Sequence, residues 1–359
     1  MISIRPFDES DNQDLLEIEA LCPQGNEKCA MGVRKEDIIA RYRMYDSWKA
    51  IVAEVDGRVA GWAGWTVKKN HGGDERHAYL AEVMIHPEFR RMGVARRLAE
   101  EAEKDAQESG ADHLYCYIYG PNDAAKSLFN GLGYSNMADI KSVAMPVYKR
   151  AEPSSGFSVE RMTRDEIWSV VELINGRYRG WRHFSPFSPE SFESHLASIP
   201  GYGLDNFWVA KDNEEKEDRG RIVACAGLWD CSTLAEFCYT REPVFWKAMG
   251  LVLRSIARFA KVPKIVREGE YFKCHYLTDY AFDRRNPDGM EFLLCHLNNV
   301  LLEEGMEYFV AILEPDDPVF PHLKKRQPQI ETWHLFAKSF DRTMPGFSPF
   351  YVDIRDMIL

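Results

Sequence analysis

Residues 79–97 read YLAEVMIHPEFRRMGVARR, and this stretch decides the fold of the first half of the chain. The apolar run over residues 79–85 predicts a buried strand, which ends at Pro87 because proline cannot donate a hydrogen bond to a neighbouring strand. A basic turn over residues 90–93 then leads into a helical pattern with apolar and small residues on one face. The stretch therefore predicts a strand, a tight turn and an amphipathic helix in direct succession.

The start of this predicted helix has the chemistry of an anion site. The first N–H groups of a helix have no partner within the helix and carry partial positive charge. Gly93 allows a ligand to approach the backbone closely, and Ala95 leaves the first helical turn unobstructed. Positive charge that favours a phosphate comes from Arg90, Arg91, Arg96 and Arg97. The alternative interpretation is a solvated basic turn, since the pattern is neither a nucleotide P-loop nor G-x-G-x-x-G.

Length and composition are typical of a soluble globular protein with about two domains. The chain has 359 residues, of which 45% are hydrophobic and 28% charged, and this excludes disordered, collagen-like and disulfide-scaffold classes. No apolar run approaches the roughly 18 residues of a membrane span. The first residues lack the apolar core of a signal peptide, so we expect a cytoplasmic protein with no membrane partner. The net charge of −11 argues against a nucleic-acid partner.

None of the eight cysteines forms a C-x-x-C pair, so we expect no structural zinc and no other metal. Most of the cysteines lie among apolar residues, which predicts reduced thiols in the core. Cys22 and Cys29 share one polar loop, and a redox pair is the alternative for these two.

The second half of the chain repeats the pattern of the first. Residues 151–156 (AEPSSG) are typical of a linker, and residues 157–161 (FSVER) echo residues 2–6 (ISIRP). A helical pattern and then a hairpin pattern follow in each half, as in the first hairpin, which turns at Asp56-Gly57. We therefore predict an internal duplication, with a mixed α/β sheet in each of two domains, residues 1–150 and 157–359.

Two motifs in the first half resemble those of the GNAT acyltransferase superfamily. Arg90-x-x-Gly93-x-Ala95, after the strand that ends at residue 85, resembles the superfamily's [QR]-x-x-G-x-[GA] motif. Residues 122–134 (NDAAKSLFNGLGY) resemble its second motif, N-x-x-A-x-x-L-[YF]-x-x-x-G-[FY], and the two occur in the expected order. The resemblance covers residues 1–150 and implies a twisted mixed sheet whose two central strands splay apart around acetyl-CoA.

The resemblance also assigns residues to a cofactor site. It implies that the backbone of Val83 meets the thioester carbonyl and that the backbone of Ile85 pairs with the pantetheine amide. Backbone N–H groups of residues 91–96 would bind the pyrophosphate, and Asn122 would contact the pantetheine arm. The cofactor-binding residues implied by the resemblance are Val83, Met84, Ile85, Arg90, Arg91, Met92, Gly93, Val94, Ala95, Arg96, Asn122, Ala125 and Phe129.

The implied reaction is direct attack of a neutral amine on the thioester, with proximity and carbonyl polarisation supplying most of the rate. Glu82 is the candidate catalytic base, and a carboxylate satisfied within the sheet is its alternative role. Many family members have a tyrosine, which protonates the departing thiolate, where this chain has Phe129. CoA would then leave as the thiolate, or Tyr134 or Tyr119 would donate a proton through water.

A further group of residues, three tyrosines, is a candidate for the acceptor site or for packing. Tyr115, Tyr117 and Tyr119 alternate with apolar residues, so they line one face of a strand as a packed layer or as the wall of an acceptor pocket. We expect His71 and His77 in an exposed loop.

The corresponding turn of the second half, residues 285–290 (RNPDGM), departs from the motif. Asp288 replaces the glycine and would repel a phosphate, while Met290 replaces the small residue and would crowd the turn. We therefore expect a degenerate second domain that keeps the sheet, does not bind CoA, and completes the acceptor site or forms an interface. Its aromatic and basic residues 177–184 either recognise the acceptor or pack a loop.

The sequence thus predicts an enzyme, an acetyl-CoA-dependent N-acetyltransferase of a small primary amine, built from tandem GNAT-like domains. One alternative is a protein that binds acyl-CoA without turnover. Another is an acetyltransferase for a larger acceptor such as an aminoglycoside or a protein. The acidic composition favours a cationic acceptor, and a homodimer is left open.

Overall fold

The structure is a computed structural model that describes residues 1–69, 76–152, 156–213, 220–340 and 349–357. His71 and residues 153–155 of the linker lie outside the described residues. The described strands are β1 (Ile2–Pro6), β2 (Gln24–Gly25), β3 (Ala30–Arg34), β4 (Trp48–Val55), β5 (Arg58–Lys69), β6 (Arg76–Ile85), β7 (His113–Tyr119), β8 (Ser135–Pro146), β9 (Phe157–Arg161), β10 (Phe207–Asp212), β11 (Ile222–Trp229), β12 (Glu236–Arg241), β13 (Cys274–Phe282), β14 (Tyr308–Leu313) and β15 (Gln329–Ser339). The described helices are α1 (Asn12–Ala20), α2 (Val94–Glu108), α3 (Asp123–Gly131), α4 (Ile167–Tyr178), α5 (Pro189–Ser198), α6 (Val244–Ile256), α7 (Asp288–Glu303) and α8 (Phe320–Lys324).

Twelve strands form one mixed sheet in the order β1-β4-β5-β6-β7-β15-β8-β14-β13-β11-β10-β9. The strands β1, β4, β5, β6 and β7 run inward from one edge, and β9, β10, β11, β13 and β14 run inward from the other edge in the same relative order. The two halves of the chain therefore meet at the centre of the sheet. Within each half the two inner strands are parallel (β6 with β7, β13 with β14), and the outer strands are antiparallel. The predicted mixed α/β fold is confirmed, and the repeated strand order supports the internal duplication.

The last strand of each half lies beside the other half. β15 pairs with β7, with Trp333 opposite Tyr119, and β8 pairs with β14, with Val143 opposite Ala311. The two exchanged strands also pair with each other. The prediction of a separate sheet in each half is therefore wrong, because strands that are adjacent in the sequence are neighbours in space only about two thirds of the time.

Helices cover both faces of the large sheet. α2 packs on one face of the first half and buries Leu98, Ala102 and Ala106, as the helical pattern predicts. α7 covers the same face of the second half. A small sheet of order β12-β3-β2 joins the halves a second time, with Tyr239 opposite Met31.

The final described segment, residues 349–357, packs against the first half. Asp356 accepts hydrogen bonds from the hydroxyls of Tyr45 at 2.8 Å and Tyr115 at 2.6 Å, and it forms an ion pair with Lys68. Tyr115 therefore belongs to a packed and hydrogen-bonded layer.

His77 does not lie in an exposed loop, so that prediction is wrong. β6 begins at Arg76, earlier than the apolar run indicates, and His77 is 3% exposed. Its ring stacks on that of His183 at 4.2 Å, and Nε2 of His183 lies 3.0 Å from Nε2 of His113. Burial lowers the pKa of His113 to about 4. The aromatic and basic cluster of residues 177–184 thus packs between the two halves. This agrees with the interpretation that these residues pack a loop.

Candidate active site

The central strands β6 and β7 pair only over a short stretch and then separate. Their parallel register joins His77 to His113 and Tyr79 to Tyr115, and no later pair follows. β6 also carries an extra residue at Ala81, since Gly64 of β5 lies opposite Glu82 while Trp65 lies opposite Leu80. The separated strands open a cleft of about 630 Å³, as the sequence resemblance implies.

The cleft brings together almost all of the predicted site residues. Residues from β6, the turn before α2, the first turn of α2, and α3 line it. These are Glu82, Val83, Met84, Ile85, Arg90, Arg91, Gly93, Val94, Ala95, Arg96, Asn122, Ala125 and Phe129. Met92 is the exception, because its side chain lies outside the lining and is 51% exposed. Its predicted contribution through the backbone N–H stays a prediction.

The first turn of α2 is open toward the cleft. Gly93 is the residue before the helix and has φ +85°, a conformation that strains other residues. A Cβ atom built on Gly93 would meet no described atom within 4 Å, and Gly93, as the N-cap residue, has no side chain that could cap the helix. Arg91 also adopts a positive φ of 65°. This geometry leaves the backbone N–H groups available to an anion.

The far wall of the cleft is formed by α3. Asn122 caps this helix, with its side-chain oxygen accepting a hydrogen bond from the N–H of Ala125 at 3.1 Å. Phe129 is buried one turn further on, and its ring packs edge to face against Tyr134 at 5.0 Å. Phenylalanine therefore occupies the cleft where the resemblance places a proton donor in many relatives.

Glu82 is held in a buried ion-pair network. Its carboxylate lies 2.7 Å from Nζ of Lys35 and 3.4 Å from Arg41, and it accepts a hydrogen bond from Tyr42 at 2.5 Å. Lys35 also binds Glu19 at 2.7 Å. Burial alone would raise the pKa of Glu82, but Lys35 and Arg41 lower it below its usual range. Glu82 is thus an ionised carboxylate at the cleft wall with its hydrogen-bonding capacity engaged, and a catalytic role for it stays a prediction.

Tyr117 is the one tyrosine among the described residues that lines the cleft. Its hydroxyl is buried and has no hydrogen-bond partner in the described part of the chain. Burial raises the pKa of Tyr117 well above its usual value, so the hydroxyl remains protonated. Tyr119 instead contacts Sγ of Cys29 at 3.1 Å, and Tyr134 packs behind Phe129. Neither of the two proton donors proposed from the sequence lines the cleft.

Sequence reasoning missed the contribution of the loop before β3. Cys22, Gln24 and Gly25 line the cleft, and Sγ of Cys22 donates a hydrogen bond to the carbonyl of Ile85 at 3.2 Å. Cys22 and Cys29 are free thiols with different partners, so the structure does not form the alternative redox pair. The sequence around Cys22 gives no local sign that this loop lines the cleft, because the loop is positioned by the pairing of β3 with the distant strand β12.

The equivalent gap of the second half is closed. β13 and β14 also separate after a short parallel stretch, but the space between them is about 20 Å³. Arg177 and Asp317 form an ion pair of 3.0 Å there, with both side chains almost fully buried. Tyr351 and Trp181 also line the gap.

The turn before α7 differs from that before α2 in how closely it is packed. A Cβ atom on Gly289 would lie 2.6 Å from Cγ2 of Val223, so the backbone is packed rather than open. Met290 is fully buried. Arg285 is engaged by Asp283 at 3.0 Å. These contacts fill the space at the start of α7, and the absence of CoA binding in the second half stays a prediction.

The splayed parallel strands and the open helix N-terminus are features of a GNAT-type acyltransferase fold, and they lie together at the open cleft between β6 and β7. Comparison with known families agrees: residues 12–134 match the model of the Acetyltransferase (GNAT) family. The first half of the chain thus resembles the GNAT acetyltransferases in sequence.

Related proteins include a probable N-acetyltransferase HLS1-like protein of Arabidopsis thaliana, 23% identical over 281 residues. That alignment covers 71% of this chain and 65% of the relative, so the chain spans less than two thirds of the relative's length.

Solved structures show the same fold over nearly the whole chain. A GCN5-related N-acetyltransferase from Sphaerobacter thermophilus has a TM-score of 0.62 at 14% identity, covering 96% of this chain and 97% of that one. A tandem GNAT protein from the clavulanic acid biosynthesis pathway has a TM-score of 0.59 at 12% identity, covering 96% and 100%. Saccharomyces cerevisiae N-myristoyltransferase with bound myristoyl-CoA has a TM-score of 0.58 at 10% identity, covering 94% and 79%.

Proposed function

We propose that this protein is an acetyl-CoA-dependent N-acetyltransferase that acts on the primary amine of a small molecule. The observation that carries the proposal is the open cleft between β6 and β7, which ends at the uncapped N-terminus of α2. The match of residues 12–134 to the GNAT family model supports acyl transfer from acyl-CoA, and the N-acetyltransferase name of the Arabidopsis relative supports acetyl as the acyl group.

The cleft fits an extended thioester with a phosphate at one end. The backbone of α2 from Gly93 onward would bind the pyrophosphate through N–H groups, and Arg90 and Arg96 would add charge. The backbone edge of β6 at Val83 and Ile85 faces the gap and would pair with the pantetheine arm as an added strand does. The acetyl carbon would then lie where β6 and β7 separate, near Glu82 and Tyr117.

Rate enhancement would come mainly from holding the amine and the thioester together. The attacking nitrogen forms a bond to the carbonyl carbon, the carbon–sulfur bond breaks, and one proton must leave the nitrogen while the sulfur leaves as thiolate or thiol. Tyr117 is the protonated group of the cleft without a hydrogen-bond partner in the described chain, so it would donate to the departing sulfur. The amine proton would pass to water or to the carboxylate of Glu82.

The second half would close the acceptor side of the cleft. Its strand β15 lies directly beside β7, and its β12 holds the strand that follows the Cys22–Gly25 wall. Such closure would favour a small acceptor over a folded protein.

The test is acetyl transfer to a panel of free amino acids, polyamines, aminoglycosides and lysine-containing peptides. Release of the CoA thiol is followed with a thiol reagent, and mass spectrometry identifies the acetylated product, with an amine-free reaction as the control for hydrolysis. Product from a small amine supports the proposal. Product from an aminoglycoside or a lysine-containing peptide alone would favour a larger acceptor, and CoA binding without product from any amine would favour the non-catalytic binder.

A further inference from the structure

Helix α6 presents an apolar face to solvent. Val244 is 78% exposed, Phe245 is 62% exposed and Phe259, just beyond the helix, is 90% exposed. Leu251, Val252 and Ile256 are exposed as well. Their spacing of three, four and seven residues places them on one side of the helix. Large exposed apolar patches of this kind mark interaction sites.

The inner side of α6 carries half-buried Trp246, Met249 and Leu253. Gly250 is the one fully buried residue of the helix, and it lies against Ile265. The apolar face lies on the opposite side, so it projects outward as a ridge. No described residue covers it.

The surroundings of this face are basic, in contrast to the acidic chain. Residues 241–267 contain seven lysines and arginines and one acidic residue, whereas the whole chain has a net charge of −11. Lys247, Arg254, Arg258 and Lys261 are exposed, and no carboxylate within the described residues pairs with them. This concentration of charge is directed to an external partner.

We propose that α6 docks on an anionic lipid bilayer, with its apolar face in the headgroup region and its basic residues on lipid phosphates. A helix with an apolar face that includes phenylalanine and a flank of lysine and arginine is suited to lie in a membrane interface. In the part of the chain that the structure describes, no helix is long and apolar enough to span a bilayer, so the contact would be peripheral. The proposal is independent of the acyl-transfer reaction.

The shape and charge of α6 favour lipid over the other occupants. A second copy of the chain would bring two basic segments together, which like-charge repulsion opposes. A nucleic acid or an acidic protein would satisfy the basic residues but would leave a convex aliphatic ridge without a groove to receive it. Lipids in a bilayer interface can rearrange around the apolar face of α6, and the bilayer supplies both anionic groups and an apolar phase.

The experiment is co-sedimentation of the full chain with two kinds of vesicle, phosphatidylcholine alone and an equal mixture of phosphatidylcholine and phosphatidylglycerol. We expect binding to the mixed vesicles that weakens with salt. The variant Phe245→Ser/Leu251→Ser/Phe259→Ser should reduce binding at least about tenfold, since each lost large apolar side chain weakens an interface by roughly that factor. Neutralisation in Lys247→Gln/Arg254→Gln/Arg258→Gln should remove the preference for anionic vesicles.

Trp168→Ser is the matched control, because Trp168 is an exposed aromatic side chain on another helix, with 62% exposure. It should bind vesicles as the unaltered protein does, and unchanged thermal unfolding shows that every variant is folded. Absence of vesicle binding would overturn the proposal. So would vesicle binding that survives in the apolar variant, self-association that the apolar variant abolishes, or binding to heparin or polyglutamate without binding to vesicles.

Discussion

The two halves of this molecule place the same pair of parallel strands in the same sheet, yet one pair encloses about 630 Å³ and the other about 20 Å³. The difference in volume depends on a few residues in the turn before α2 or α7 and in the gap between the parallel strands. The first half has open space around Gly93 at the start of α2, whereas the second half has the packed side chain of Met290 and the Arg177–Asp317 ion pair. A shared fold therefore does not imply a shared site, and the open half alone has the geometry of a cofactor cleft.

The largest expected effect comes from filling the open site. Gly93→Trp should weaken acetyl-CoA binding by three orders of magnitude or more, about 4 kcal/mol, because the indole would occupy the space of the pyrophosphate. Calorimetry measures the loss. Gly57→Trp is the matched control, since Gly57 also has a positive φ, 79°, and open space around its Cβ position, and it lies outside the cleft. Equal affinity in both variants would contradict the assignment.

The next effect concerns the closed gap. Arg177→Leu should lower the free energy of unfolding by about 3 kcal/mol, because it leaves Asp317 buried without its cation. Denaturant unfolding measures the change. Acetyl-CoA affinity should stay the same, and a large loss of affinity would show that the second gap takes part in cofactor binding.

Glu82→Gln distinguishes a structural carboxylate from a catalytic base. Because the native pKa of Glu82 is lowered, its contribution to stability is present above the ordinary pKa of 4.5 and is lost as the pH falls through the native value. We expect the variant to be about 2 kcal/mol less stable at neutral pH and the deficit to shrink in acid. Urea unfolding at several pH values tests this, and loss of turnover with unchanged stability would instead establish Glu82 as the base.

Tyr117→Phe tests the proton donor of the open cleft. Removal of the hydroxyl should lower kcat about tenfold while KM for acetyl-CoA stays the same. Phe129→Tyr in the same background should recover part of the lost rate, because it places a hydroxyl on the α3 wall of the same cleft. Steady-state kinetics of the single and double variants measure both effects. An unchanged kcat in the single variant would show that Tyr117 is not the proton donor.

The smallest effect is expected at the closed turn. Gly289→Ala should lower stability by about 1 kcal/mol, since the clash with Val223 outweighs the gain in helix propensity. Acetyl-CoA affinity should not change in calorimetry. A parallel loss of affinity would mean that the second turn still supports a phosphate.

The strand, turn and helix that form the open cleft could be predicted from the sequence because these features are local. A strand, a glycine with open space and a following helix occupy fewer than twenty consecutive residues, so residues 79–97 carry the whole unit. The closed turn before α7 could be predicted in the same way from Asp288 and Met290. In both cases short-range backbone chemistry determines the outcome.

The features that could not be predicted depend on contacts between residues that are far apart in the sequence. The position of β15 between β7 and β8, the cleft wall at Cys22 and the burial of Asp356 among tyrosines all join residues that are far apart in the sequence. His77 was misjudged because the charge and glycine content of the preceding residues conceal the start of β6. Tyr117 could be placed on a strand face, but its lack of a partner emerges only when its neighbours are known.

Calorimetric titration of the intact protein with acetyl-CoA tests the central claim most directly, because the stoichiometry counts the open clefts. One site per chain is the result predicted by an open first half and a closed second half. Two sites per chain would contradict the comparison of the halves, and no binding would contradict the assignment of the cleft to acetyl-CoA.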